Sequence, residues 1–494
     1  MLKNLAKSVL GDALFNESSP PAPKVKPEPK SATAANRSAA APTQRKLTPL
    51  TLGTHGQGQK SKTEPLPFPV KAENRHFLIG GTTGAGKTRV FFQLADQARD
   101  RGDKALIVDH GMEQVMRNYQ PGDIILNPFD DRFPGWSPFN EIDAPWDCEN
   151  LGKSIIPDGI GSSAEWNAYA QALISALLKK ITESADGDGL CSETNDELIR
   201  WVGETTENMQ KFCEGDPIAA MLDPNNAKMV ASIRGIVSSK MTPFRYLENG
   251  DFSLRDWMMN DDDRRWVFIC YRDEMLGSLR SLISCWVSLA VMYMLSLPED
   301  ENRRVWLFLD ELASLDKIGA LTDALAKARK RGGCVVAGLQ AVSQLREKYG
   351  DAGAVTLMAN FGTWVTLRAG DAETAEAFSK HFGEQEIWQD SFNEGMNVGN
   401  GATLNDGASL QLKRQRVVEY TELMQLKDLQ GFIKIPGPYP AGEITAAILQ
   451  PPKDRGAPAF IPAKAGKAAY QSRREAKRRT LDVQRENIGL SAER

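Results

Sequence analysis

The chain has 494 residues, 41% hydrophobic and 25% charged, with a formal net charge of −4. That is ordinary globular usage, with enough apolar material for a large core or for two to three domains. The six cysteines, Cys148, Cys191, Cys213, Cys270, Cys285 and Cys334, form no close pair, and His55, His76, His110 and His381 are scattered. This spacing argues against a disulfide framework or a structural zinc site and fits a reducing compartment.

The charge is unevenly spread. Residues 1–63 hold ten Lys/Arg against three acids, and residues 453–494 hold eleven against five, so the middle of the chain is acidic. Basic ends on an acidic body suit contacts with polyanions or acidic partners, or are simply solvated tails. Apolar residues at 2, 5, 6, 9, 10, 13 and 14 follow helical spacing, so residues 1–17 read as an amphipathic helix that docks on a surface, or as an unstructured end. Residues 18–71, rich in Pro, Ala, Ser, Thr and Lys, read as a basic linker. No secretory signal is expected at the N-terminus.

From about residue 72, strand-like runs alternate with helical stretches. His76–Ile79, Lys104–Asp109, Asp123–Leu126, Trp266–Tyr271, Val305–Leu309, Cys334–Gly338 and Thr363–Arg368 read as strands. Their alternation predicts an α/β domain over 72–149 and 248–452, with a mostly parallel sheet covered on both faces. Residues 150–247 carry little strand signal and read as an inserted all-α domain; 453–494 reads as a basic tail. Ser281–Leu297 is uncharged, at the short limit for a membrane span, and contains four serines. Lying between two strand-like runs, it reads as a buried crossover helix, and no transmembrane helix is predicted.

The first predicted strand ends in GGTTGAGKT, residues 80–88. Gly81, Gly86, Lys87 and Thr88 satisfy the phosphate-loop pattern, and a helix-like stretch, Arg89–Arg99, follows. Glycines let backbone N–H groups approach phosphates, and a helix N-terminus adds about half a positive charge. Gly81, Thr82, Thr83, Gly84, Ala85, Gly86, Lys87 and Thr88 are therefore the candidate nucleotide-binding residues. Lys87 is expected on the β/γ-phosphates, and the Thr88 hydroxyl on Mg²⁺.

The run VWLFLDE, residues 305–311, supplies the matching second half. A strand ending beside the phosphate loop would let Asp310 hold Mg²⁺ through water and Glu311 polarise the attacking water. Arg329 lies eighteen residues beyond Glu311, after a helix expected over Asp316–Lys330. It is a candidate finger for a neighbouring subunit's γ-phosphate, with Lys330 and Arg331 as competitors and a solvated helix end as the plain reading. Gln340 follows the strand Cys334–Gly338 and could sense the γ-phosphate or be a buried amide.

ENRHFLIGGTTGAGKT, RGDKALIVD, ILNPFDDRFPGWSPFNE, SIIPDG (154–159), SIRG (232–235), FLDELASL (308–315), ARKRGGCVVAGLQAVSQL (328–345) and IPGPYPAGEI (435–444) together resemble the conjugative coupling proteins of the TraD/TrwB kind, over roughly 72–445. The resemblance implies a RecA-like P-loop NTPase with a helical insertion, assembled as a hexamer around DNA. It implies ATP and Mg²⁺ as cofactors, and a relaxase with its plasmid DNA and a type IV secretion channel at the inner membrane as partners. It assigns the nucleotide lysine to Lys87, the acids to Asp310 and Glu311, the finger to Arg329 and the glutamine motif to Gln340. Such proteins usually begin with a transmembrane pair; here a basic linker stands in its place, so attachment through partners at the cytoplasmic side is expected. An ATP-gated adaptor that recruits substrates without pumping DNA, and a chromosome-segregation-type translocase, are the rival functions.

Overall fold

The computed structural model describes residues 47–55, 64–187, 189–397 and 403–463. The expected helix at 1–17, the linker up to 46 and the tail from 464 lie outside them. In chain order the strands are β1 (Thr51–His55), β2 (Glu64–Pro67), β3 (Phe77–Gly80), β4 (Lys104–His110), β5 (Ile124–Ile125), β6 (Val267–Tyr271), β7 (Val305–Leu309), β8 (Gly333–Leu339), β9 (Thr363–Leu367), β10 (Glu384–Asn397), β11 (Thr403–Arg416), β12 (Gln430–Lys434) and β13 (Gly442–Thr445). Eleven of them form one sheet in the order β2-β1-β13-β12-β9-β3-β8-β7-β4-β6-β5; β10 and β11 form a separate ribbon.

From β9 to β5 every neighbouring pair is parallel. These strands are continuous apolar runs because helices cover both faces: β3, β6, β7, β8 and β9 are buried along their whole length. β3 begins at Phe77 rather than His76, which takes φ +64° and turns the chain into the strand. The His76 ring is buried; Nε2–H donates to Leu325 O at 2.9 Å while Nδ1 accepts from the Val335 N–H at 3.1 Å. Burial pushes its pKa down to about 4, so it holds β3 against β8 as a neutral ring.

The other edge of the sheet, β12-β13-β1-β2, is antiparallel. It corrects the expected linker, of which Thr51–His55 and Glu64–Pro67 are strands of the sheet. Gln97 and Gln93, on the helix Lys87–Asp100, cap the Thr51 and Gly53 N–H groups of β1 at 2.7 and 2.8 Å, and Leu52 and Phe68 are buried. The short helix Val70–Glu73 is pinned through Glu73, fully buried between Arg101 and Arg304. The start of the expected tail is likewise tied down. Gly456 N–H donates to Tyr119 O, and Asp130 bridges to Pro462.

Between β5 and β6 the described chain holds no strand. It runs through the helices Pro145–Ile155, Ser163–Asp186, Asn195–Gly203, Thr206–Phe212, Ile218–Met221, Ala227–Met241 and Leu254–Met259. Leu173, Ile174, Leu177, Ile181, Ile233 and Val237 are buried among them. The helix Asp273–Ser296 is long and apolar enough to cross a membrane by length and composition. In this fold it connects β6 to β7, with Leu282, Ile283, Trp286, Val287, Leu289 and Ala290 in the core.

Candidate nucleotide site

The carboxyl ends of β3, β8, β7, β4 and β6 open on one cleft of about 580 Å³. Loops after parallel strands collect at one edge, so residues far apart in sequence converge there. The cleft is lined by Thr83, Gly84, Gly86, Lys87 and Thr88 of the phosphate loop, Asp310 and Glu311 after β7, and Gln340 after β8. These members of the sequence-predicted set meet at the cleft; Gly81, Thr82 and Ala85 belong to the same loop but do not line the cleft, and Arg329 is placed apart.

The loop turns from β3 into the helix Lys87–Asp100 through glycines. Gly86, at φ +112°, holds a conformation that strains any L side chain, and a Cβ there would stand 2.8 Å from the Leu429 methyl and displace it. The Lys87 ammonium folds over the loop and donates to Gly81 O at 2.7 Å and Thr82 O at 3.3 Å. Burial pulls its pKa down, and Glu311 and Asp310 oppose that. A buried cation satisfied only by loop carbonyls is poised for an anion in the loop.

Opposite the loop sit the two acids. Gly338 of β8 lets the end of β7 come close, since a Cβ on it would lie 1.8 Å from the Asp310 carbonyl oxygen. Burial raises Asp310 to about 6, with Lys87 pulling the other way. Glu311 is also raised by burial; its Oε2 accepts from Gln340 Nε2 at 2.5 Å, and Oε1 is buried without a partner. Gln340 Oε1 in turn accepts from the Thr83 hydroxyl at 3.2 Å. One amide thus bridges the phosphate loop and the second acid.

The donor set fits a hard divalent cation. Thr88 offers a hydroxyl and Asp310 a buried carboxylate short of positive charge, the oxygen ligands Mg²⁺ takes. Among the described residues no group of three or more His, Cys, Asp or Glu could hold a metal by itself.

Arg329 lies elsewhere. The helix expected over 316–330 is only Leu321–Lys327, followed by a 3-10 turn, Ala328–Arg331, that enters the amino end of β8. The residues from Asp316 to Ala320 lead into it as coil and turn. Arg329 is exposed, and the whole length of β8, roughly 20 Å, separates it from its own cleft.

Sequence reasoning passed over His110, Glu113, Asp273, Leu276, Ser314 and Leu429, which also line the cleft. His110 ends β4 and pairs with Asp273 at 2.6 Å. The apolar run before His110 is the signal that could have found it, because it ends at the same sheet edge as the loop. Leu429 carries no such signal.

The chain resembles known proteins along most of this architecture. A family model, the type IV secretion-system coupling protein DNA-binding domain, matches residues 60–447. The chain belongs to the type IV secretion-system coupling protein family. Coupling protein TraD of Escherichia coli (strain K12) is 32% identical over 418 residues, which cover 82% of this chain and 57% of TraD. The bacterial conjugative coupling protein TrwBdeltaN70, unbound, aligns with TM-score 0.72 and 36% identity over 80% of this chain and 90% of its own. TrwB structures in complex with ADP and Mg²⁺ and with the GTP analogue GDPNP align equally well, at 33% and 34% identity over 86% of this chain and 99% of each.

Proposed function

We propose that this coupling-family chain is an ATPase that drives DNA toward a type IV secretion channel. The observation that carries the reading is the convergence of Lys87 and Thr88 with Asp310, Glu311 and Gln340 on a single cleft. The nucleotides held by the related TrwB structures support it.

In this reading the loop N–H groups from Gly81 to Thr88 cradle the phosphates, and Lys87 leaves its carbonyl partners for the β/γ-oxygens. Thr88 and Asp310 would hold Mg²⁺, which neutralises charge developing on the phosphates. Glu311 orients the attacking water and accepts its proton; its raised pKa suits a base. Gln340 holds that carboxylate at a fixed distance from the loop. The exposed Arg329, at the sheet edge away from its own cleft, serves a neighbour's site in a homo-oligomeric ring, taken as a hexamer. DNA is held mainly through its phosphates, without base readout, and a relaxase delivers it. The chain works at the cytoplasmic face of the inner membrane through partners of the secretion channel.

Phosphate release by the purified chain, with and without single-stranded DNA, tests this. Stimulation by DNA that vanishes in Lys87→Ala and Glu311→Gln is expected. Nucleotide binding without turnover under any DNA condition would instead make the chain an ATP-gated receptor.

A further inference from the structure

Leu429 is one of three described non-glycine residues with positive φ, at +69°. A side chain beyond Cβ gains nothing from that conformation; a residue needed only to turn the chain would be glycine or asparagine. Here the strained residue is a leucine, and its backbone is clamped. Its N–H donates to Ala85 O in the phosphate loop at 2.9 Å, and its carbonyl accepts from the Ala446 N–H at 2.7 Å. The preceding Asp428 is paired with Arg368 at 2.8 Å. These bonds carry the side chain onto the loop, against Gly86, where it lines the cleft together with Thr88 and Arg89.

Apart from the loop glycines and Leu276 of the helix Asp273–Ser296, the other residues that line the cleft are polar. Asp310, Glu311 and Gln340 face the end of the loop where a terminal phosphate is expected. Arg89, one residue beyond the Mg²⁺-side hydroxyl of Thr88 in the helix Lys87–Asp100, stands toward the phosphate nearest the ribose. An apolar side chain fixed at that second end has no use for phosphate. It suits the flat face of a heteroaromatic ring.

We propose that Leu429 is the platform on which the base of the bound nucleotide rests, a contact that reads the ring's face and accepts adenine and guanine alike. This rests on the nucleotide-site reading above and extends it to the base. The clamp explains why strain is retained: the N–H to Ala85 ties the platform to the loop, so base and phosphates are gripped by one rigid unit.

The test compares binding of Mg-ATP, Mg-GTP and Mg-tripolyphosphate, by calorimetry, in the full chain and in Leu429→Gly, Leu429→Asn and Leu429→Met. Glycine and asparagine accept the backbone conformation, and relief of that strain offsets part of the packing lost with a half-buried leucine, so both variants should fold. The expected result is a loss of about tenfold for ATP and for GTP in both, with tripolyphosphate unchanged and methionine restoring most of the affinity. Equal losses for tripolyphosphate and nucleotides would overturn the proposal, since Leu429 would then only shape the loop. Unchanged nucleotide affinity, or losses that differ more than tenfold between ATP and GTP, would overturn it too. If the parent chain binds none of the three, the nucleotide-site reading itself fails, a result distinct from any of these.

Discussion

The two parts of the large sheet are built on different principles and meet at the phosphate loop. The parallel part, β9 to β5, is made of apolar strands buried on both faces, and it delivers every ionisable group of the cleft. The antiparallel edge is made of short strands with exposed positions, as in β12 and β13, and it delivers one apolar side chain and a backbone clamp. Chemistry comes from the part whose strand ends are aligned by parallel pairing. Grip comes from the part whose strands return to fold over the loop.

The largest test of this division is the finger. Arg329→Ala should lower ATP turnover by about 10³-fold or more while leaving nucleotide affinity intact, because the residue stands apart from its own cleft. Mixing this variant with Glu311→Gln should restore part of the turnover; no rescue in a phosphate-release assay would count against sharing between subunits. Next is Gly338→Ala. Its methyl would collide with the Asp310 backbone, so a loss of about 3 kcal/mol in urea unfolding is expected, larger than for a methyl at the open Gly84. A smaller contribution is His76. Its folded pKa lies below the unfolded one, so the unfolded chain binds the extra proton between about 4 and 6.5 and stability falls on acidification through that window. Between pH 7 and 5 the loss should be about 2 kcal/mol, read from urea midpoints, and His76→Gln should flatten it. The smallest effect belongs to the edge. Asp428→Asn breaks an exposed ion pair and should cost about 0.5 kcal/mol or less. A larger loss would mean that charge, rather than the backbone clamp, holds the strap.

The same division decides what could be read in the sequence. Val305–Leu309 reads as a strand with its observed bounds because a strand buried on both faces is written as an unbroken apolar run. The loop residues and both acids follow from it, since parallel strands put their carboxyl ends together. β1 and β13 offer no such pattern. They are four or five residues long, and their pairing, Thr54 with Thr445, joins opposite ends of the described chain. Leu429 was illegible for the same reason. Its importance lies in a dihedral angle and in a hydrogen bond to Ala85, hundreds of positions away, neither of which leaves a mark in local composition.

β5 and β6 are hydrogen-bonded neighbours, Ile124 beside Val267, although the whole helical block lies between them in the chain. The excursion therefore departs and re-enters at one seam. Any segment whose two ends stand a strand-spacing apart could be grafted there without disturbing the order of the sheet, so the block is open to replacement while the strand ends that build the cleft stay the same.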